Sequence, residues 1–570
     1  MSGIEIRVAD QDRSMFKSAL GTALSCLGSA VGTGNIWRFP RILASQSYSK
    51  GSLTFYVAWM LLLFFWSIPL ILVEYAVGRF TQNSPLPAFC KFMGKYFVWV
   101  GGWLTAAVFL ISAYYPVIIG WCLYYLFISC TVSELPGSEE AGMALFNGFA
   151  RDSYWPVFCQ ILAVALTGAF SFGGIHLVEK ANMILVPLLL LILVFTFGWS
   201  MTREYAEVGI QFLFTPTWSS FAQPALWIAA AGQNAFDTGA GMSVLLVYAT
   251  YMDRSVGIVR YSVLIPVINN IVSLYASFTI FSTVFSTLIQ TDGTITRSAI
   301  LNIMQDSGPG STGLTFTWIP VLFSRVGILG RVLSVLFFLC LTFAGISSLL
   351  ATLQACVLVL KEIGVVHLII HMTTDCIRLT PVQSMCVGLQ QRSVVISRLF
   401  PILEKYGYKA TEDNTWGYAL IISGALLAVL VITYNPMRFR RVIINEYGTD
   451  DWPAPLFWIP IITVIVPALC IFLITWWIYD YIKTHEVWYA LSLDSVTCTL
   501  LEWLILLVLL LAANFFVIWY KGELYPQTRK LGSDPYDPST YEEWDAVNMD
   551  DMRLGSYDEM DTTVTVARKF

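Results

Sequence analysis

Residues Gly28 to Pro40 read GSAVGTGNIWRFP inside an otherwise apolar run. Gly28, Gly32 and Gly34, followed by Asn35 and Arg38, predict that this run does not stay one helix. A bilayer offers no water to free backbone groups, so spanning helices are normally unbroken. A break at membrane depth exposes helix-end carbonyls that suit a cation and helix-start amides that suit a carboxylate. A second segment of this kind, GQNAFDTGAG from Gly232 to Gly241, lies inside the apolar run 221–248. Glycine alone is common where membrane helices pack closely. Glycine together with Asn35, Arg38, Gln233 and Asp237 points instead to a site, because polar side chains inside a membrane are costly and mark function.

Little else in the chain has the spacing for chemistry. There is no nucleotide-binding loop, metal-ligand pattern or catalytic triad motif, which argues against an enzyme. The four histidines, His176, His367, His371 and His485, are scattered. His367 and His371 are four apart but lack a third ligand, so a structural role is expected rather than zinc. Nothing implies nucleic acid or a bound organic cofactor.

The elements that must position the two polar segments are membrane helices. Of 570 residues, 56% are hydrophobic and only 12% charged, which reads as a polytopic membrane protein. Apolar runs predict spans near 16–42, 53–77, 101–129, 154–171, 181–199, 221–248, 260–288, 331–360, 415–434, 456–480 and 499–520. Arg7, Arg13 and Lys17 precede the first span. Lys91, Lys95, Arg254, Arg260, Arg438, Arg440 and Arg441 fall in later connections. All of these lie on the cytoplasmic side, as positive charge should, if the N-terminus is cytoplasmic and the chain crosses once more between Lys361 and Trp416. A twelfth, ninth-in-order span is therefore required in the weakly apolar, atypical stretch 363–412. The polar N-terminus has no signal-peptide core. Most of the 11 cysteines, such as Cys26, Cys122, Cys340 and Cys470, sit in apolar runs and are expected to be buried small hydrophobes. From 532 to 561 the chain is dense in Asp and Glu with Tyr536, Tyr541 and Tyr557 interleaved. That composition reads as a disordered acidic tail suited to trafficking partners or to solvation alone.

Six motifs occur in order: GSAVGTGNIWRFP, PLILVEYAVGR, AYYPVIIGW, GQNAFDTGAGM, INNIVSLYASFTIF and FAGISSLLATLQ. Together they resemble the neurotransmitter:sodium symporter family, well over about 13–362 and more loosely over 415–520. The resemblance implies an all-α polytopic membrane protein with a LeuT-like 5+5 inverted repeat, broken first and sixth helices and about 12 transmembrane helices. The expected organisation is a cytoplasmic N-terminus (1–15), a first repeat (16–199), a second repeat (221–434), two additional helices (456–520) and an acidic cytoplasmic tail (521–570). The implied location is the plasma membrane. The oligomeric state stays open.

Carried over position by position, the resemblance implies one Na⁺ site at Gly28, Val31, Ala344, Ser347 and Ser348. It implies another at Ala30, Asn35, Asp237 and Asn269. A substrate carboxylate is expected at the backbone amides near Gly32 and Gly34 and at the Tyr115 hydroxyl. The side-chain pocket is expected to use Ile111, Phe236, Gly239, Met242 and Thr352. Arg38 is the expected outer gate, with Asp413 or Glu412 as its acidic partner, and Arg13 with Glu362 the inner ion pair.

The chain departs from the family at two positions. Monoamine carriers have an acid where Gly32 stands here, so a neutral, apolar amino acid bearing its own carboxylate is the expected substrate. Carriers of an amine, betaine or organic osmolyte, and a non-transporting family member acting as a membrane partner, are the alternatives. At 237 the family usually has Ser or Thr, and in chloride-dependent members that hydroxyl joins equivalents of Tyr56, Gln233, Asn269 and Ser273 around Cl⁻. A carboxylate at Asp237 would repel a bound chloride strongly in a low-dielectric site. Na⁺ is thus the expected coupling ion, Cl⁻ is expected to be unnecessary, and Asp237 is a candidate to take up a proton when the sodium site is empty.

Overall fold

The structure, a computed structural model, describes residues 15–47, 50–150, 152–291, 293–305, 313–363, 411–485, 488–489, 495–522 and 525. The chain divides into a unit of residues 1–524 and another of 525–570, and the helices below belong to the first. The expected ninth span, His367, His371, Arg13 and the acidic tail lie outside the described residues.

The first apolar run forms α1 (Ala19–Ala30) and α2 (Phe39–Ser45). Ser18 caps α1, its hydroxyl accepting from Gly21 N at 2.9 Å. The helix ends where Val31 turns extended, at φ −73° and ψ 93°. A widened turn, Gly34–Arg38, then leads into α2. The sixth run is interrupted in the same way, as α7 (Pro224–Thr238) and α8 (Val244–Ala249). Three left-handed residues separate them, Gly239 (φ 72°), Gly241 (φ 87°) and Ser243 (φ 58°). Glycine accepts that conformation without a Cβ clash, which is why the break falls here.

The remaining spans are continuous: α3 (Leu53–Thr81), α4 (Val98–Thr131), α5 (Trp155–Phe172), α6 (Gly174–Met201), α9 (Ile258–Thr291), α10 (Ile328–Ile363), α11 (Thr411–Tyr434), α12 (Trp458–Thr484) and α13 (Val496–Lys521). Among the described residues nine helices are long and apolar enough to cross a membrane, beside the two interrupted ones. α6 begins at Gly174, not near 181. Glu179 and Lys180 read in sequence as loop charges, yet Glu179 is buried against the start of α1.

The broken helices run through the middle of the bundle. α1 packs on α6, α9 and α10, and α7 packs on α3 and α11. α12 and α13 turn apolar side chains outward, with Ile471 69% and Trp519 81% exposed, as expected of helices facing lipid.

Candidate functional site

At the first break the backbone gives up its own bonding. Gly32 N donates to Asn35 Oδ1 at 2.8 Å, not to Gly28 O one turn back. Gly28 O accepts instead from Ser348 Oγ at 3.2 Å, across to α10. Ser347 Oγ donates to Ala344 O at 3.0 Å. A Cβ on Gly28 would come within 3.2 Å of Ser347 Cβ, so a side chain there would crowd this approach of α1 to α10. Oxygens from Gly28, Ala344, Ser347 and Ser348 are thereby gathered beside the extended backbone of Val31. Carbonyl and hydroxyl oxygens of this kind suit a hard cation.

A second polar set joins α2's approach, α7 and α9. Asn35 Nδ2 donates to Asn269 Oδ1 at 2.9 Å and to Ser273 Oγ at 2.8 Å. Ser273 Oγ donates to Asp237 Oδ2 at 2.9 Å. Asp237 is 2% exposed, and its Oδ1 makes no hydrogen bond of good geometry among the described residues. A buried carboxylate with one oxygen orphaned is costly unless a cation meets it, so the donor set fits Na⁺. Gln233 Oε1 accepts from Arg38 Nη1 at 2.6 Å, and the Arg38 guanidinium stands over the Phe236 ring, 5.0 Å from its centre.

Of the groups expected around an anion, Gln233, Asn269 and Ser273 surround the Asp237 carboxylate itself. Tyr56 and Ser277 hydroxyls meet at 2.7 Å, so Tyr56 engages a residue one turn along α9 from Ser273. The single proton of Ser273 is already given to Asp237.

Between these sets lies one cavity. Seven of the eight residues expected for substrate line it: Gly32, Gly34, Ile111, Tyr115, Phe236, Met242 and Thr352. Ala30, Asn35, Asp237 and Ser348 line it too, as does Ser29, which the sequence reading did not single out. Gly239, the eighth, is not among them, and its role here is the left-handed turn that ends α7. Thr33 N donates to the Tyr115 hydroxyl at 3.2 Å. A Cβ on Gly32 would come 2.9 Å from both Ser348 Oγ and the Tyr115 hydroxyl. The absent side chain therefore leaves a cradle rimmed by hydroxyls and break-region amides, suited to a carboxylate.

At the far end of the bundle from Arg38, Glu362 Oε2 accepts from Ser84 N at 2.9 Å, while its expected partner Arg13 is outside the described residues. Asp413 and Glu412 begin α11, with their side chains outside the described set. Two acids that the sequence reading did not single out fasten the broken helices, one at a break and one at the start of α1. Glu74 Oε1 accepts from Gly241 N at 2.7 Å and Ser243 N at 3.2 Å, pinning the unwound stretch between α7 and α8. Glu179 accepts from Lys17 N, Ser18 N and Ser18 Oγ, each at 3.0 Å, pinning the start of α1. The signal for Glu74 was present: a lone acid within the apolar run PLILVEYAVGR.

Residues 13–141 and 152–521 match the sodium:neurotransmitter symporter family. The chain belongs to the sodium:neurotransmitter symporter family. It is 28% identical over 362 residues to the uncharacterized sodium-dependent transporter MJ1319 of Methanocaldococcus jannaschii, covering 61% of this chain and 69% of that one. It is 26% identical over 381 residues to the sodium- and chloride-dependent GABA transporter ine of Drosophila melanogaster, covering 60% of this chain and 38% of that one. Among solved structures, MhsT in complex with L-phenylalanine aligns with a TM-score of 0.67 at 26% identity, covering 81% of this chain and 99% of that one. This symporter-family chain is thus an integral, multi-pass membrane protein with the LeuT-like fold.

Proposed function

We propose that this chain is a Na⁺-coupled symporter of a neutral, apolar amino acid, working by alternating access. The observation that carries the reading is the meeting of two oxygen-rich sets and a hydroxyl-rimmed cradle at Gly32 around one cavity. Na⁺ is a co-transported substrate in this reading. One ion is held by Gly28, Val31, Ala344, Ser347 and Ser348, and the other by Ala30, Asn35, Asp237 and Asn269. The amino acid's carboxylate lies at Gly32, Gly34 and Tyr115, and its side chain meets Ile111, Phe236, Met242 and Thr352. Arg38 with Phe236 closes the outer side. Residues 16–199 and 221–434 act as the two repeats, with both termini cytoplasmic.

Asp237 supplies a fixed negative charge, so transport needs no chloride. Ser273 spends its proton on Asp237 and Tyr56 bonds to Ser277, which supports this. A second reading, an amine carrier, draws on the same Asp237, which lines the cavity and would pair with an ammonium group. Binding of radiolabelled L-phenylalanine to purified protein in Na⁺, competed by unlabelled phenylalanine or by phenethylamine, tests the choice. Competition by the amino acid alone supports the carboxylate reading, and stronger competition by the amine overturns it.

A further inference from the structure

Along α1, from Gly21 to Gly28, α1 and α6 lie in register. Gly21 faces Glu179, and Gly28 faces Val186 and Asn182 Oδ1; a Cβ on Gly28 would come within 2.8 Å and 3.3 Å of those two. Ser25 sits on the same face of α1 between the two glycines, four residues from one and three from the other. Asn182 sits on α6 between Glu179 and Val186. The two polar residues therefore face each other, and both are fully buried.

Among the described residues, Ser25 Oγ and both polar atoms of the Asn182 amide reach no hydrogen-bond partner of good geometry. The buried Tyr248 hydroxyl of α8 lies beside Asn182 and also closes no such bond. Buried amides and hydroxyls are nearly always bonded. Here several unbonded polar atoms share one place, one turn of α1 from the Gly28 carbonyl. The side away from Gly28 is closed by Phe16, whose ring is 5.8 Å from that of Tyr248 and whose N–H donates to Tyr251 O at 3.1 Å. Glu179 holds the neighbouring Lys17 and Ser18 amides.

We propose that Ser25 Oγ, Asn182 Oδ1 and the Tyr248 hydroxyl form a transient monovalent-cation site, a way-station for sodium between the Gly28–Ser348 oxygens and the cytoplasm. The site rests on the sodium-symport reading and extends it. Three neutral oxygens bind a hard cation without a neutralising charge, hence weakly. Weak binding suits a release path, where an ion must enter readily and leave readily. A buried Ser–Asn pair with spare oxygens does this, whereas an apolar pair would pack α1 on α6 more tightly and block the step.

The test uses wild type, Ser25→Ala, Asn182→Ala and Asn182→Asp in proteoliposomes. Uptake of radiolabelled L-phenylalanine under an inward Na⁺ gradient is measured while Na⁺ on the cytoplasmic side is raised. Each alanine variant should need about threefold to tenfold more cytoplasmic Na⁺ for half-inhibition, with the external Na⁺ requirement unchanged. Asn182→Asp should shift half-inhibition the opposite way and slow turnover, because it traps the ion. A purely packing role would move Asn182→Ala and Asn182→Asp in the same direction, which overturns the site. Ser25→Ala removes only one hydroxyl, and unchanged inhibition in that variant and in Asn182→Ala also overturns it. Wild type that lacks sodium-driven uptake overturns the symport reading along with the site; normal wild-type uptake with unaltered inhibition in the variants overturns the site alone.

Discussion

In the proposed mechanism, ion coupling turns on Asp237. Its carboxylate accepts from the Ser273 hydroxyl on one oxygen, and Asn269 and Gln233 stand beside it without a bond of good geometry to the other oxygen among the described residues. A fixed anion here repels a second one steeply, since a buried pair is poorly screened. Replacing Asp237 with Ser should make uptake chloride-dependent: in gluconate medium the variant should lose about tenfold in rate, and chloride should restore it, while wild type is indifferent to the anion. Clear chloride dependence of wild type would contradict the assignment. Gly32 carries the second residue-scale claim. A methyl group there meets two hydroxyls at 2.9 Å, which is tighter than van der Waals contact. Gly32→Ala should therefore weaken amino-acid binding about tenfold or more while leaving thermal stability within about 1 kcal/mol of wild type, because the new methyl projects into the cavity and not the packed core. Equilibrium binding and thermal unfolding check the two halves. The family resemblance, not residue type, named Asn35, Asp237, Asn269 and Ser273 together. The bond of Tyr56 to Ser277 was not legible, because Ser273 and Ser277 share a face of α9 and residue type does not choose between them.

At the scale of elements, the two interruptions were legible and their fastenings were not. Gly-rich, polar stretches inside apolar runs announce a break, since intact spanning helices do not tolerate them cheaply. What fastens the broken helices is set by helices distant in sequence. Glu74 of α3 binds the α7–α8 link, and Glu179 of α6 caps α1. Glu179 was hidden because a charge at the end of an apolar run reads as a loop residue. Its three bonds to Lys17 and Ser18 predict a latch on the start of α1. Glu179→Ala should cost that latch about 2 kcal/mol, roughly a thirtyfold shift toward inward-open forms. Cys26, fully buried on α1, is the built-in reporter. Peptide-level mass spectrometry after a brief exposure to a thiol reagent should find Cys26 labelled far faster in the variant. Equal labelling would mean that α1 is held by other contacts.

The whole molecule is built so that one cavity is lined from both broken helices and from α4 and α10. In the proposed mechanism that arrangement makes occupancy and conformation interdependent, with ions and substrate completing the bonding of the helix ends at the breaks. Apolar patterning alone marks most of the bundle, including the outward faces of α12 and α13. The stretch 363–412 does not announce itself, because it is neither apolar enough for an evident span nor polar enough for an evident loop. Coupling to Na⁺ gives the molecule its driving force. One net charge moving down about 100 mV supplies roughly 2.3 kcal/mol, about a fiftyfold accumulation before any chemical gradient is added. The most direct measurement of the central claim is uptake of radiolabelled neutral amino acids into proteoliposomes holding the purified full chain. An inward Na⁺ gradient with an inside-negative potential is compared with K⁺ in place of Na⁺ at the same potential. The account predicts accumulation above the external concentration in Na⁺ alone, collapsing when an ionophore removes the gradient. Equal uptake in Na⁺ and K⁺, or none in folded protein, would contradict it.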